Sequence, residues 1–386
     1  MYNFNFHNPT QIFFGKDRLT ELSNVVPEGV NILIIYGGGS VVKFGTLDKV
    51  KSALTNRTLF EFGGVEPNPH YDTLMKAVEM VKKHKIDFLL AVGGGSVIDG
   101  TKFIALASTC SQSESLSLLF KGVSAVPGIK ALPFGTVLTL PATGSEMNSG
   151  AVVSHGESKY VVMSPMVYPK FSFLDPSITF TLPDTQVANG VVDAFVHVIE
   201  QYITFPSAAT FQDSTAEGIL RNLIEIGRKT IDHPTDYDLR ANLVWNATMA
   251  LNGLIGAGVP QDWSTHMIGH ELTALFGVDH AKSLAIVLPS LWEIRKTQKR
   301  DKLIQYAERV WGIKELNDDI KIELAISKTR DFFESLGIKT KLSDYGIKAV
   351  DIDKVINGLK NKGFTGLSET KDLTLDISRK ILENAL

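Results

Sequence analysis

Five residues from the middle of the chain onward have the types and the spacing of a metal site. Asp193 and His197 lie four residues apart, which puts both side chains on one face of a helix. His266 and His270 have the same spacing and His280 follows, so three of the nine histidines fall in one short stretch. Carboxylate and neutral imidazole ligands suit divalent iron, zinc, nickel and manganese. The whole set favours one divalent metal ion, although Asp193 and His197 alone are better explained as a buried hydrogen bond or two solvated side chains.

The composition limits the possible metal ligands and binding partners. The single cysteine, Cys110, cannot form an internal disulfide or build a thiolate zinc site, so the ligands of any metal must be His, Asp or Glu. The net charge of -3 over 386 residues gives no electrostatic footprint for nucleic acid or an anionic membrane. The sequence contains no signal peptide pattern and no apolar run that could span a bilayer. We therefore expect a cytoplasmic protein with neither nucleic acid nor membrane as a partner.

Two glycine-rich turns could bind a dinucleotide. One predicted strand ends at Gly37, Gly38, Gly39 and Ser40, and another ends at Gly93, Gly94, Gly95 and Ser96. Glycine lets the backbone approach a ligand closely, and the N–H groups at the start of the next helix suit a phosphate. We expect Ser96 to cap its helix. Neither turn matches G-x-G-x-x-G and either one alone could be an ordinary tight turn, but two in one sheet favour a dinucleotide.

The elements that must position these residues form an α/β first half. Strands are predicted by apolar runs at residues 31–36, 59–62, 87–92, 137–140 and 171–174. Helical patterns lie between the strands, at residues 71–84 among others. This alternation predicts a parallel sheet that is covered by helices on both faces.

The remaining regions are predicted from weaker patterns. Residues 4–14 alternate as an edge strand would, a helix is expected from Ser40 to about Leu54, and residues 111–133 are expected to be irregular. From about Ile178 onward strand signals vanish and helical patterns dominate. This change predicts a dinucleotide-binding α/β domain at residues 1–178 and an all-helical metal-binding and substrate domain at residues 179–386.

The second glycine turn resembles a known motif. Gly93 to Ser96, followed by Asp99 and Lys102, is similar to the pyrophosphate motif of the iron-dependent (group III) alcohol dehydrogenase family. Residues 139–146 resemble a shortened form of the family's next block. The resemblance implies a Rossmann-like parallel sheet followed by an all-α domain, the dehydroquinate synthase-like architecture. It also implies a homodimer.

The resemblance implies a role for individual residues. It assigns the four metal ligands to Asp193, His197, His266 and His280, and it makes His270 a further active-site histidine. It assigns cofactor contacts to both glycine turns and to Asp99, Thr139, Leu140, Thr143, Ser145 and, in a stretch that matches less well, Lys159.

The first glycine turn predicts the choice of cofactor. Members of the family that prefer NAD usually carry an aspartate just after this strand, where it binds the ribose hydroxyls and repels a 2′-phosphate. Here residues 37–40 carry no carboxylate, so backbone N–H groups, the Ser40 hydroxyl and Lys43 could hold the phosphate. The turn resembles that of the NADPH-dependent aldehyde reductases and butanol dehydrogenases of the family. We therefore expect NADP(H).

The expected function is that of a metal- and NADP(H)-dependent alcohol dehydrogenase or aldehyde reductase acting on small aldehydes and primary alcohols. The metal, Fe²⁺ or Zn²⁺, would polarise the carbonyl oxygen. His270 could relay a proton or orient a ligand, and the sequence favours neither role. Lys282, where many relatives have glycine near the last ligand, would lie at the rim of the site. A dehydroquinate synthase-like lyase is an alternative, as is a non-catalytic nucleotide or metal sensor.

Overall fold

The structure, a computed structural model, describes residues 1–386. It contains two compact units. The first, here called the α/β unit, comprises residues 7–182 and 234–244. The second, here called the helical unit, comprises residues 1–6, 183–233 and 245–386. No helix in either unit combines the length and the apolarity that crossing a bilayer requires.

The α/β unit alternates strands and helices along the chain. Its elements are β1 (Gln11–Phe14), α1 (Leu22–Val25), β2 (Asn31–Tyr36), α2 (Ser40–Lys43), α3 (Thr46–Ala53), β3 (Thr58–Phe62), α4 (Tyr71–His84), β4 (Phe88–Gly93), α5 (Gly95–Ala107), α6 (Gln112–Lys121), β5 (Phe134–Leu138), β6 (Gly150–His155), β7 (Ser158–Met163) and β8 (Phe171–Leu174).

Six of these strands form one parallel sheet, as predicted. The order across the sheet is β1-β8-β5-β4-β2-β3. Alternate residues of β2 pack into two apolar clusters: Leu33 and Ile35 join one, and Ile32 and Ile34 join the other. Because successive side chains of a strand point to opposite faces, both faces of the sheet are buried. The apolar runs that identified the strands therefore form the core of the unit.

The N-terminal strand is shorter than predicted. Strand β1 begins only at Gln11, and residues 1–10 form no strand. Residues 1–6 instead lie against the helical unit, with the side chains of Tyr2, Phe4 and Phe6 about half exposed. There the Tyr2 N–H donates to the Gly258 carbonyl at 2.8 Å. A side chain at Gly258 would collide with Phe4.

Two other predicted elements differ in their bounds. Strand β5 spans residues 134–138 rather than 137–140, because the chain turns at Thr139, whose N–H donates to the Gly93 carbonyl at 3.0 Å. The helix expected from Ser40 to Leu54 is two helices, α2 and α3. They are separated at Gly45, which has a φ of 77° that other residues rarely adopt.

The prediction that residues 111–133 are irregular is wrong in its first half, where α6 forms. Ser111 is the N-cap of this helix. Its hydroxyl accepts from the Glu114 N–H at 3.3 Å, and the Glu114 carboxylate accepts from the Ser111 N–H at 2.7 Å. This capping box satisfies two N–H groups that the helix leaves open. The Ser-x-x-Glu pattern was visible in the sequence, but the many serines obscured the helical periodicity.

Residues 150–163 form a hairpin that sequence patterns did not predict. Strands β6 and β7 pair antiparallel from Gly150 opposite Met163 to His155 opposite Ser158. The turn at Gly156, with a φ of 58°, connects them. The hairpin forms a separate two-stranded sheet outside the parallel sheet.

The helical unit is built almost entirely from helices. They are α7 (Asp184–Tyr202), α8 (Thr210–Asp232), α9 (Tyr237–Ala250, whose first residues belong to the α/β unit), α10 (Ser264–Phe276), α11 (His280–Arg295), α12 (Arg300–Arg309), α13 (Asp318–Ser335), α14 (Ile352–Asn361) and α15 (Leu375–Asn384). One departure from the predicted all-α composition is a short antiparallel pair, β9 (Gly366–Leu367) with β10 (Leu373–Thr374).

The capping box of α6 gives a prediction for stability. Ser111→Ala removes the cap and should lower the free energy of unfolding by about 1 kcal/mol, as N-cap replacements usually do. The matched control is Ser117→Ala in the same helix, because the Ser117 hydroxyl only donates to the Ser113 carbonyl one turn earlier. Urea denaturation should show a loss for the first variant and little change for the second. Equal effects would contradict the capping role.

Candidate metal centre and cofactor site

Helix α7 carries Asp193 and His197 into the interior of the helical unit. The side chains are 3% and 5% exposed, respectively. The helix is buried almost all round because its other positions are apolar over the same stretch: Val191, Val192, Ala194, Phe195, Val196 and Val198. A charged residue is rarely found in such a place unless it is paired or binds a cation.

Helices α10 and α11 bring three histidines to the same place. His266 and His270 lie one turn apart on α10, and His280 is the first residue of α11. The two helices approach closely at Gly269, where a Cβ atom would lie 2.9 Å from the Ser283 hydroxyl oxygen. Only a residue without a side chain leaves room for this crossing.

The ligand atoms converge around one carboxylate oxygen. Asp193 Oδ1 lies 3.5 Å from His280 Nε2, 3.6 Å from His197 Nε2 and 3.8 Å from His266 Nε2. The ligand atoms of Asp193, His266 and His280 all lie within 4.8 Å of one another. The rings of His197 and His266 stack, with centroids 4.8 Å apart. The structure thus groups three of the four predicted ligands, and it places the fourth, His197, next to Asp193 and against the His266 ring.

His270 lies beside this cluster. Its ring centroid is 5.2 Å from that of His280 and 6.0 Å from that of His266. The side chain is buried, with 7% of its surface exposed. Its ring therefore lies near two candidate ligands, His266 and His280, whereas the close distances to Asp193 involve the other three histidines.

The electrostatics of the cluster favour a positive charge. Burial would raise the pKa of the Asp193 carboxyl, but the surrounding imidazoles, His197 foremost, hold that pKa well below its usual range. Burial would lower the pKa of His266, yet the carboxylates of Glu200 and Asp193 raise it to about 9. Asp193 is thus an ionised carboxylate in a pocket that stabilises cationic neighbours.

Two residues of this region were missed by the sequence analysis. Glu200 lies seven residues after Asp193 on α7, and both of its carboxylate oxygens face His266. Its position at i+7, on the same helix face as Asp193 and His197, was a signal in the sequence. Trp263 lies just before α10, with its ring edge-on to His266 at 5.4 Å. No pattern in the sequence singled it out.

Lys282, expected at the rim of the site, has its charge paired locally. Its ammonium lies 2.6 Å from Asp279 Oδ2, an i,i+3 pair at the start of α11. Asp279 also accepts from the Asn189 side chain at 3.4 Å. The lysine therefore adds little net charge beside His280.

The two glycine turns lie side by side at the carboxyl ends of adjacent strands. Strands β2 and β4 are neighbours in the sheet, with Tyr36 opposite Val92. Gly39 has a φ of 105°, a left-handed conformation that glycine adopts without strain. A Cβ atom at Gly38 would meet nothing within 4 Å. Lys43 extends over the ring of Phe44, with its ammonium 5.2 Å from the centroid.

The second turn differs from the prediction in one respect. Helix α5 begins at Gly95 with Gly94 as its N-cap, so Ser96 lies inside the first turn and is not the cap. The Ser96 hydroxyl instead accepts from the Asn68 N–H at 3.2 Å. The reason is that Gly94 has an extended backbone, with φ −88° and ψ −167°, which is the usual conformation of a cap residue.

The glycines of the second turn also make room for the loop after β5. A Cβ atom at Gly95 would lie 2.6 Å from the Thr143 hydroxyl oxygen, and one at Gly94 would lie 3.0 Å from the Leu140 Cβ. Thr139 is fixed to Gly93 by a backbone hydrogen bond of 3.0 Å. The structure therefore brings together the residues predicted to contact the cofactor, 93–96 and 139–145, at the carboxyl ends of strands β4 and β5.

Asp99 and Ser145 bind each other. The Ser145 hydroxyl donates to one oxygen of Asp99 at 2.6 Å, and the Val152 N–H donates to the other at 2.9 Å. Burial raises the pKa of the Asp99 carboxyl. These hydrogen bonds tie α5 to the loop after β5 and to strand β6. Asp99 and Ser145 thus stabilise the packing of these elements, a role that the sequence motif alone did not indicate.

Two lysines accompany this pair. Lys102 is fully buried and donates at 2.8 Å both to the Asn148 side chain and to the Gly150 carbonyl, and burial lowers its pKa to about 8. Lys159, on β7, is 9% exposed and close enough to Asp99 to stabilise its charged form. Lys159 is thus held near the second turn by the hairpin that the sequence did not predict.

The contact between Gly95 and Thr143 gives a prediction. Gly95→Ala should lower the free energy of unfolding by about 1–3 kcal/mol, because the added methyl group overlaps the threonine side chain. Thr143→Ala removes both overlapping atoms, so the loss from Gly95→Ala should be smaller in that background. A double-mutant cycle measured by urea denaturation should give a coupling of about 1 kcal/mol. Strictly additive effects would show that the two residues do not meet.

Comparison with known proteins identifies the family. Residues 9–176 match the family model for iron-containing alcohol dehydrogenases, and residues 187–367 match that for the C-terminal region of the Fe-containing alcohol dehydrogenase family. The chain is 55% identical over 388 residues to the NADPH-dependent aldehyde reductase YqhD of Escherichia coli (strain K12), covering 100% of both. It is 40% identical over 394 residues to the probable NADH-dependent butanol dehydrogenase 1 of Bacillus subtilis (strain 168), also covering 100% of both.

Comparison with a crystal structure supports the same family assignment. The crystal structure of YqhD from E. coli K-12 superposes with a TM-score of 0.98 at 55% identity, and the match covers 100% of this chain and 99% of that one. Both halves of the chain, with the glycine turns in the first and the histidine cluster in the second, therefore match over their length. The chain is a member of the iron-containing alcohol dehydrogenase family.

Proposed function

We propose that this protein is a metal- and NADP(H)-dependent alcohol dehydrogenase that reduces small aldehydes and oxidises primary alcohols. The convergence of three imidazole nitrogens on the buried Asp193 carboxylate carries this proposal. We assign the metal and the substrate to the helical unit and the dinucleotide to the α/β unit. The full-length similarity to a protein named as an NADPH-dependent aldehyde reductase supports the same activity.

The four proposed ligands fit a divalent ion. Asp193 Oδ1 and His266 Nε2 are buried and have no hydrogen-bond partner. Leaving such atoms unsatisfied costs about 1–3 kcal/mol each, and a cation bound to both removes that cost. Metal–ligand bonds of about 2.0–2.2 Å limit the separation of two ligand atoms to about 4.4 Å, and the 3.5–3.8 Å separations from Asp193 Oδ1 lie within that limit. One carboxylate and three imidazoles suit Fe²⁺ and Zn²⁺ alike.

The bound groups and the residues of the chain would contribute differently to the reaction. A divalent ion supplies Lewis-acid polarisation of a carbonyl oxygen, and NADPH supplies the hydride. The chain fixes the positions of these groups, because Asp193 and His197 are held by one buried helix. His270 is our candidate for the group that moves a proton to the alkoxide oxygen, since its ring lies beside His266 and His280.

The first glycine turn supports NADP(H) over NAD(H). No carboxylate stands in residues 37–40, so nothing there repels a 2′-phosphate. Gly38 faces open space, and the turn can therefore admit the larger group. The relatives do not decide this point alone, because one is named for NADPH and another for NADH. The comparisons favour neither the lyase nor the sensor as an alternative function.

Two further properties belong to the proposal. We propose a cytoplasmic homodimer, in which β1 contributes to the subunit contact because it is an edge strand of the parallel sheet. An edge strand presents unpaired backbone groups that a second copy can satisfy.

Removal of one ligand tests the metal site and the activity together. Protein purified without an affinity resin and reconstituted with Fe²⁺ or Zn²⁺ should bind about one ion per chain and should reduce butanal with NADPH. Asp193→Asn should weaken metal binding by more than about 100-fold, which exceeds the 10–100-fold usual for an outer partner, and turnover should be lost with it. The control is Asp184→Asn, an exposed position on the same helix. A chain that binds no metal, or an unaffected Asp193→Asn variant, would refute the proposal.

A carboxylate in the first turn tests the choice of cofactor. Gly38→Asp should lower kcat/KM for NADPH by about tenfold or more, which corresponds to about 1.4 kcal/mol of repulsion from the 2′-phosphate, and should leave kcat/KM for NADH nearly unchanged. The position accepts a side chain because no atom lies within 4 Å of its Cβ and its φ is not left-handed. Gly38→Asn has the same shape without the charge and should retain the preference for NADPH. A wild-type preference for NADH would contradict this part of the proposal.

A further inference from the structure

Glu200 is buried deep in the helical unit, next to the proposed metal ligands. It lies on α7 one turn after His197, and 3% of its surface is exposed. Its carboxylate makes two contacts with one residue of α10. Oε1 accepts from the His266 backbone N–H at 3.0 Å, and Oε2 forms a short hydrogen bond with His266 Nδ1.

These two contacts determine how the His266 ring is oriented. Burial raises the pKa of the Glu200 carboxyl, and the charge of His266 and its hydrogen bonds oppose that rise. As a carboxylate, Glu200 only accepts hydrogen bonds, and the proton of this contact then resides on His266 Nδ1. The lone pair available to a cation is then on Nε2, the atom 3.8 Å from Asp193 Oδ1. The bond to the His266 backbone N–H fixes the start of α10 at the same time. Glu200 thus sets both the tautomer and the direction of one ligand without touching the ion.

Glu200 is itself held in place by its neighbours. Its carbonyl accepts from the Asp262 N–H at 2.8 Å. Asp262 Oδ2 lies 2.7 Å from the Lys299 ammonium, which also binds Glu369 at 2.7 Å. Glu200, Asp262 and Lys299 line one small cavity of about 10 Å³. The buried ammonium lies among carboxylates and offsets part of their mutual repulsion.

We propose that Glu200 is the positioning residue of the metal centre, an outer carboxylate that holds His266 with Nε2 directed at the ion. This inference rests on the proposed metal site. Metal-binding histidines commonly donate their second ring N–H to a carboxylate, and loss of that partner typically weakens metal binding by 10–100-fold. The geometry here supplies such a partner for His266, and the backbone contact strengthens it.

Glu200→Gln tests the proposal by metal affinity. Glutamine has one acceptor oxygen and one amide donor, so it cannot accept from both the His266 backbone N–H and the protonated Nδ1, and one of these contacts is lost. We expect Co²⁺, titrated in competition with a chelator and followed by its visible absorption, to bind about 10–100-fold more weakly. The matched control is Glu217→Gln, also a buried carboxylate of the helical unit, which accepts from Tyr202 at 2.9 Å and Gln305 at 2.8 Å. It should leave Co²⁺ affinity unchanged.

A second measurement needs no variant and remains informative if Glu200→Gln does not fold. In wild-type protein loaded with Zn²⁺ and labelled with ¹⁵N-histidine, His266 should carry its proton on Nδ1, with Nε2 bound to the ion. A proton on Nε2, or a Glu200→Gln variant that binds Co²⁺ as tightly as Glu217→Gln, would overturn the role of Glu200 while leaving the metal site intact. A wild-type chain that binds no Co²⁺ would instead refute the proposed function itself.

Discussion

The helical unit depends on one electrostatic constraint, which is that a buried carboxylate must be compensated. Asp193 lies on a helix whose surroundings are apolar, and the imidazole nitrogens of His197, His266 and His280 lie 3.5–3.8 Å from its Oδ1 atom. Neutral imidazoles alone compensate a carboxylate poorly, whereas a cation bound by all four does so fully. Residues from three helices meet at this carboxylate, so the packing of α7, α10 and α11 also determines the geometry of the proposed metal site.

Buried charges around the histidine cluster must be compensated in the same way. His266 is held by Glu200, and Asp262 joins Glu200 to the start of α10 and to Lys299. Asp262 also accepts from the N–H of Ser264, the first residue of that helix, at 3.0 Å. A chain of polar contacts therefore runs from the histidine cluster through Glu200, Asp262 and Lys299 to Glu369, beside the short β9–β10 pair. The Lys299 ammonium offsets the repulsion between the carboxylates, and the bonds of Glu200 and Asp262 to the backbone hold the start of α10.

Sequence patterns predicted most of the architecture because the parallel sheet is buried on both faces. Continuous apolar runs such as those of β2 and β4 are typical of strands that helices cover on either side. The same patterns failed where local hydrogen bonds decide the structure. Helix α6 depends on the contact between Ser111 and Glu114, and the hairpin of β6 and β7 depends on strand pairing near Gly156.

The residues of the candidate site were also only partly predictable from the sequence. Residue type and spacing singled out the carboxylate and the histidines, and the family resemblance assigned the four proposed ligands among them. Glu200 was missed because a glutamate one turn beyond a histidine is common on any helix, and only the fold shows that its carboxylate meets His266.

The ion pair of Lys282 with Asp279 bears on how substrates arrive. The two charges lie 2.6 Å apart beside His280, so their fields largely cancel within a few ångströms. An unpaired lysine in that position would attract anionic metabolites and would make their capture sensitive to ionic strength. With the pair in place, this position supplies little net charge that would draw an anion toward His280 in preference to an uncharged aldehyde.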